Sequence, residues 1–134
     1  MKSFIRTGAY ALIVQEEKIL LTKQRNGPLR GFWHLPGGGI EFSETPLEAL
    51  HRELLEEVAI QVVDPALLTV VSSFGEHSDP EPHRYHYIGL VYRVGGIVQT
   101  GLLAQDESCW FSIGDLDLSR TTPFVRELKG RDYF

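Results

Sequence analysis

The chain has 134 residues, 43% of them hydrophobic and 23% charged, with a formal net charge of −5. That length closes a hydrophobic core without cross-links and leads us to expect one domain over residues 1–134. The acidic balance argues against a protein built to grip nucleic-acid backbone, and the lone Cys109 excludes an internal disulfide and a cysteine-built zinc site.

In chain order, residues 8–25 (GAYALIVQEEKILLTKQR) are rich in strand formers and predict two strands joined by a turn at Gln15, Glu16 and Glu17. The apolar run 9–14 is too short to cross a membrane, and no cleavable leader pattern accompanies it. With the single cysteine, this predicts a cytoplasmic protein with no membrane association and no stable nucleic-acid partner. NGPLRG (26–31) has the chemistry of a surface loop, and FWHLPGGG (32–39) ends in Pro36 and three glycines, where the chain must bend. Thr45-Pro46-Leu47-Glu48 combines an N-cap, a proline at the first helical position and a capping-box glutamate. Leu47, Leu50, Leu54 and Val58 then recur at helical spacing and predict the buried stripe. Beyond the break at Asp64-Pro65, LLTVVSSF (67–74) and RYHYIGLVYRV (84–94) read as strands flanking a polar loop at 75–83. SCWFSI (108–113) reads as a last strand, and Thr122-Pro123 opens a short helix to about Lys129. Strands surrounding one strong helix, with another near the end, predict an α/β fold: an α/β/α sandwich around a central mixed sheet.

The helix 46–58 carries Glu53, Glu56 and Glu57 at i, i+3 and i+4, on neighbouring positions of one face. Each like-charged pair destabilises a helix by about 0.2–0.5 kcal/mol. Such a cluster is either a solvated face or the carboxylate half of a divalent-cation site. Gly37, Gly38 and Gly39 either cradle phosphate through backbone N–H groups or simply make the turn, and Lys23 and Arg25 stand near enough in sequence to reach an anion. His77, His83 and His86 lack a second ligand cluster for zinc, and Phe32, Trp33, Tyr85 and Tyr87 are most simply core or strand residues.

Gly38, Glu44, Arg52, Glu53, Leu54, Glu56, Glu57 and Ile60 stand together at the spacing of the Nudix box: Gly, five residues, Glu, seven residues, then Arg-Glu-aliphatic-x-Glu-Glu-x-Gly-aliphatic. A chance match at these eight positions, over all registers, has a probability below roughly 10⁻⁵ from ordinary residue frequencies, so the spacing decides for the cation site. The chain therefore resembles the Nudix hydrolase family over residues 38–60, and WHLPGG and ESCWF resemble the segments that flank the box. Ala59 departs from the pattern by standing where the box has Gly, and is expected to close the loop in a conformation other than the one glycine would take.

The resemblance implies a Nudix-like sandwich and Mg²⁺-dependent hydrolysis of a diphosphate linkage in a nucleoside diphosphate derivative, with Mn²⁺ as a possible substitute. Candidate substrates are nucleoside triphosphates, oxidised nucleotides, ADP-ribose and nucleotide sugars. Glu53, Glu56 and Glu57 are the implied metal ligands, and Arg52 is a catalytic-core residue that orients them. The general base is Glu53 or, from a separate loop, Glu107. Arg25 and Gly37, Gly38 and Gly39 are the expected substrate contacts. The loop 75–83 and the strand entrance from Arg84 to Tyr87 are expected in the pocket wall. A homodimer is possible, and the alternative to an enzyme is a non-catalytic Nudix-like module that binds a nucleotide.

Overall fold

The computed structural model describes residues 1–134. Its elements are β1 (Lys2–Leu12), β2 (Val14–Gln15), β3 (Lys18–Lys23), β4 (Trp33–His34), β5 (Gly37–Gly39), α1 (Pro46–Val58), β6 (Ile60–Val63), β7 (Ala66–His77), β8 (His83–Arg93), β9 (Gly96–Gln99), β10 (Ser108–Ser112) and α2 (Pro123–Gly130). Alternation along β1 explains the layering. Ala9 and Ala11, with Ile13 beyond the strand, pack into a cluster with Ala49, Leu50, Leu54 and Val58 of α1. Leu12 enters a second cluster with Phe124, Val125 and Leu128 of α2, and Tyr10 packs against its edge. A period of two thus gives β1 one face for each helix.

Four strands run in the order β5-β1-β8-β7. The β1–β8 pair is parallel and its neighbours are antiparallel, which makes the sheet mixed as expected. A second sheet, β10-β3-β2, takes β4 against β3, and β6 pairs with β9. The turn between β2 and β3 falls on Glu16 and Glu17, both with positive φ (51° and 62°), as a two-residue hairpin of this twist requires. No helix is long and apolar enough to cross a membrane.

The α1 capping box forms. Thr45 Oγ1 accepts from Glu48 N at 3.1 Å, and Glu48 Oε1 accepts from Thr45 N at 3.0 Å. Three expectations need correction. Leu47 is 41% exposed, because the first turn of α1 stands clear of the core, and Ala49 takes its place in the buried stripe. The polar segment 75–83 is loop only over 78–82: β7 runs on to His77 and β8 begins at His83, since cross-strand pairing from Gly75↔Tyr85 to His77↔His83 overrides the local polarity. Ala59 does not avoid the glycine conformation. It sits at φ 57°, ψ 37°, in the left-handed region, and its N–H closes on Leu54 and Leu55 carbonyls as a C-cap.

Candidate active site

β5 brings Gly37 to Gly39 alongside β1, and the first two of these glycines lie over α1. At Gly38 a Cβ would lie 2.6 Å from Glu53 Cδ, and at Gly37, with φ at 135°, it would lie 2.2 Å from the Ala9 carbonyl oxygen. These two positions accept only glycine if the carboxylate and β1 keep their places. Gly39 has open space around it. The Gly37 N–H donates to Glu57 Oε1 at 2.9 Å. In this structure the turn thus directs this donor to the acidic cluster.

Arg52 explains how the helix tolerates its acidic face. Its Nε and Nη2 donate to the two oxygens of Glu44 at 2.7 and 2.9 Å, Nη1 donates to Glu53 Oε1 at 2.8 Å, and Nη2 also reaches the Gly39 carbonyl at 3.1 Å. The fork ties helix, box loop and glycine turn together. Those hydrogen bonds hold Glu44 down to about pKa 2 and push the Arg52 guanidinium further up. Arg52 lies behind the cleft wall rather than in it.

In front of this clamp opens a cleft of about 310 Å³. Its lining includes Gly37 to Gly39, Glu53, Glu57, Arg25 and Asp106, and with them Arg6, Tyr10, His34, Ser73, Tyr87, Thr122 and Phe124. Burial first, then the charges of Glu53 and Asp106, push the Glu57 carboxyl up to about 9, against the opposing hydrogen bond from Gly37. A carboxylate in that position demands a positive partner. The donor set fits a hard cation such as Mg²⁺, which takes one or two carboxylates and keeps its remaining sites for water and substrate phosphate. The three glutamates do not converge, however, and no three Asp, Glu, His or Cys side chains gather closely enough to enclose an ion. Glu53 and Glu57 line the cleft, whereas Glu56 is 45% exposed at the rim, 3.6 Å from Arg52 Nη1.

Of the candidate loop acids, Glu107 is exposed outside the cleft, its backbone carbonyl accepting from Lys23 N at 2.9 Å. Its neighbour Asp106 is the acid that faces in, with a side chain only 10% exposed. Gln105 and Asp106 N–H groups donate to the Glu56 and Glu57 carbonyls, both at 3.0 Å, so the loop caps the end of α1 and delivers Asp106 beside Glu57. Arg25 Nε lies 2.8 Å from Asp106 Oδ1, a close ion pair without hydrogen-bond alignment. Arg25 therefore reaches the cleft, and Lys23 does not.

The segment 75–83 stays out of the cleft, because its hairpin end lies at the far tip of β7 and β8; Ser73 and Tyr87 supply that wall instead. His77 and His83 face one another there with ring centroids 5.7 Å apart, and His86 stacks on Phe74 at 4.1 Å. Trp33 packs edge-on against Phe111. Phe32 is partly exposed, and Tyr85 stacks on Tyr87 at 4.5 Å. Asp106, His34 and Thr122 escape sequence reasoning because each reaches the cleft through non-local packing, and no local spacing marks them.

The clamp of Arg52 on Glu44 and Glu53 beneath a glycine turn is the box motif folded as a unit, and a NUDIX domain model matches residues 5–129. The chain belongs to the Nudix family. It is 35% identical over 105 residues to an ADP-ribose pyrophosphatase of Methanocaldococcus jannaschii, spanning 78% of this chain and 60% of that protein. It is 32% identical over 94 residues to an 8-oxo-dGDP phosphatase of Homo sapiens, spanning 70% of this chain and 27% of that one. The chain thus spans 60% of the length of the first of these curated relatives and 27% of the second. A MutT NUDIX hydrolase structure from Burkholderia pseudomallei superposes with a TM-score of 0.78 at 30% identity, covering 92% of this chain and 95% of that one. The Nudix fold thus extends over nearly the whole chain.

Proposed function

We propose that this Nudix chain is a Mg²⁺-dependent pyrophosphohydrolase that cleaves the diphosphate linkage of a nucleoside diphosphate derivative by attack of water on phosphorus. The observation that carries this reading is the part-buried Glu53–Glu57 pair under the Gly37–Gly38 turn, lining a cleft of about 310 Å³. Bound there, a divalent cation would neutralise phosphate charge and orient water. Glu53 and Glu57 would hold it, and Glu56 would join only by swinging away from Arg52. Arg52 fixes Glu53 in place and touches no substrate. Arg25 is the cation at hand for the substrate's phosphates, and Gly38 and Gly39 bring backbone close to them. Glu53 is the box candidate for general base. Asp106 is better placed than Glu107 as the acid from a separate loop. The relatives' names, ADP-ribose pyrophosphatase and 8-oxo-dGDP phosphatase, support a nucleotide substrate and agree on a diphosphate.

The test is incubation with Mg²⁺ and a panel of nucleoside di- and triphosphates, ADP-ribose and nucleotide sugars, with product identification. Cleavage between the two phosphorus atoms, abolished by EDTA and restored by Mg²⁺ or Mn²⁺, is the expected result. Glu53→Gln and Glu57→Gln should each lower kcat at least about a hundredfold, in the range of removing a group that acts in the transition state. Wild-type turnover by both variants would refute these roles, and tight binding of a panel member without cleavage would return the chain to the class of binding modules.

A further inference from the structure

Two buried polar side chains that line the cleft meet each other and not the acidic cluster. His34 is 6% exposed and Thr122 fully buried, and His34 Nδ1 lies 2.5 Å from Thr122 Oγ1 across 88 residues of chain. Thr122 holds the N-cap position of α2, where a threonine hydroxyl ordinarily accepts from a helix N–H. Here it makes no such bond; the hydroxyl meets the imidazole instead. A threonine hydroxyl has one proton to give, and neutral imidazole has one nitrogen that accepts. The Thr122 hydroxyl has no other protein acceptor, so donation to Nδ1 satisfies both groups and leaves the ring proton on Nε2. Nε2 has no protein partner and is not among the atoms sealed from solvent. His34 lines the same cleft as Glu53 and Glu57, its ring 4.9 Å from that of Tyr10 and 5.4 Å from that of Phe124.

A nucleotide whose diphosphate lies at the carboxylates occupies the cleft that His34 also lines. We propose that His34 is a specificity-determining residue whose Nε2–H, set by Thr122, donates to a carbonyl oxygen of the substrate's base. An exocyclic amino group there would face donor against donor and leave a buried N–H unmatched, which is how polar sites discriminate. The inference rests on the nucleotide-hydrolase reading above and narrows it to keto-bearing bases.

ITP and ATP share sugar and triphosphate and differ in presenting a keto or an amino group at the same ring carbon. ADP-ribose and its hypoxanthine analogue make the same comparison on a different tail. With Mg²⁺, the wild type should favour the keto member in kcat/KM by about tenfold or more, the worth of one hydrogen bond. Thr122→Val, which keeps the shape and removes the hydroxyl, should erase most of that ratio, and Thr122→Ser should retain it. A merely structural role would lower both members of a pair equally and leave the ratio intact. Preference for the amino member, or an unchanged ratio in a folded Thr122→Val protein, would overturn the proposal. Long-range ¹H–¹⁵N spectra of the wild-type imidazoles give a readout independent of activity and of the variant's folding. A His34 proton on Nε2 supports the proposal and one on Nδ1 refutes it. Failure of the wild type to hydrolyse any of the four compounds would instead count against the hydrolase reading, with the tautomer still deciding for or against His34.

Discussion

At the residue scale, steric and electrostatic demands meet at Gly38. A Cβ there falls on the Glu53 carboxyl, whereas Gly39 has room. Gly38→Ala should therefore displace Glu53, cost about 1–3 kcal/mol by overpacking and abolish most Mg²⁺-dependent turnover. Gly39→Ala should stay within about 0.5 kcal/mol of wild type. Denaturant melts with parallel turnover assays check both. His34 gives the pH prediction. Burial pushes its imidazole from 6.5 down to about 3, so the folded protein keeps it neutral where the unfolded chain takes a proton. The unfolded state binds more protons below pH 6.5, and stability falls as pH drops from there toward 3. His34→Gln should flatten that limb of a melting-temperature profile measured from pH 7 to pH 4, and an identical slope in both proteins would contradict neutral burial. Glu53, Glu57 and Arg52 were legible in the sequence because the box spacing names them. Asp106 was not, although it adjoins the residue that sequence reasoning chose. The loop's hydrogen bonds to α1 decide which of two adjacent acids turns inward, and a local pattern carries no trace of them.

At the scale of elements, α1 shows what local chemistry encodes. Thr45, Pro46 and Glu48 specified its start, and the structure forms both capping-box bonds. Thr45→Ala should cost about 1 kcal/mol with little change in turnover, read by denaturant melts and by the panel assay. Its exit is another matter. Ala59 enters the left-handed region at a cost of roughly 1–2 kcal/mol, because its N–H must reach the Leu54 and Leu55 carbonyls before β6 begins at the next residue. Ala59→Val should cost more than about 1 kcal/mol beyond that, since a β-branched residue fits this conformation poorly. The β7–β8 hairpin departs from local chemistry in the opposite sense. Gly75, Glu76 and His77 look like loop residues, yet the register with Tyr85, Arg84 and His83 extends both strands through them. Pairing over long sequence separations outweighs local polarity, and it carries the segment away from the cleft.

For the whole molecule, the layered fold follows from β1 feeding two cores, one under each helix. The order of strands and helices in the sequence was enough to predict the mixed sheet between helices, since few arrangements bury both amphipathic helices. The strand order β5-β1-β8-β7 was not readable, because it joins chain segments tens of residues apart. That order matters for function. It sets the glycine turn on one side of β1 and Tyr87 of β8 on the other, so the cleft spans the sheet from the carboxylates to the aromatic wall. The central claim is that Glu53 and Glu57, more than the rim residue Glu56, hold the divalent cation. Electron paramagnetic resonance of free Mn²⁺ during titration into wild type, Glu57→Gln and Glu56→Gln tests it most directly. The account predicts that affinity falls at least about tenfold on losing Glu57, the part-buried carboxylate that the Gly37 N–H fixes in the cleft, and less than about threefold on losing Glu56. Equal Mn²⁺ binding by wild type and Glu57→Gln would contradict it.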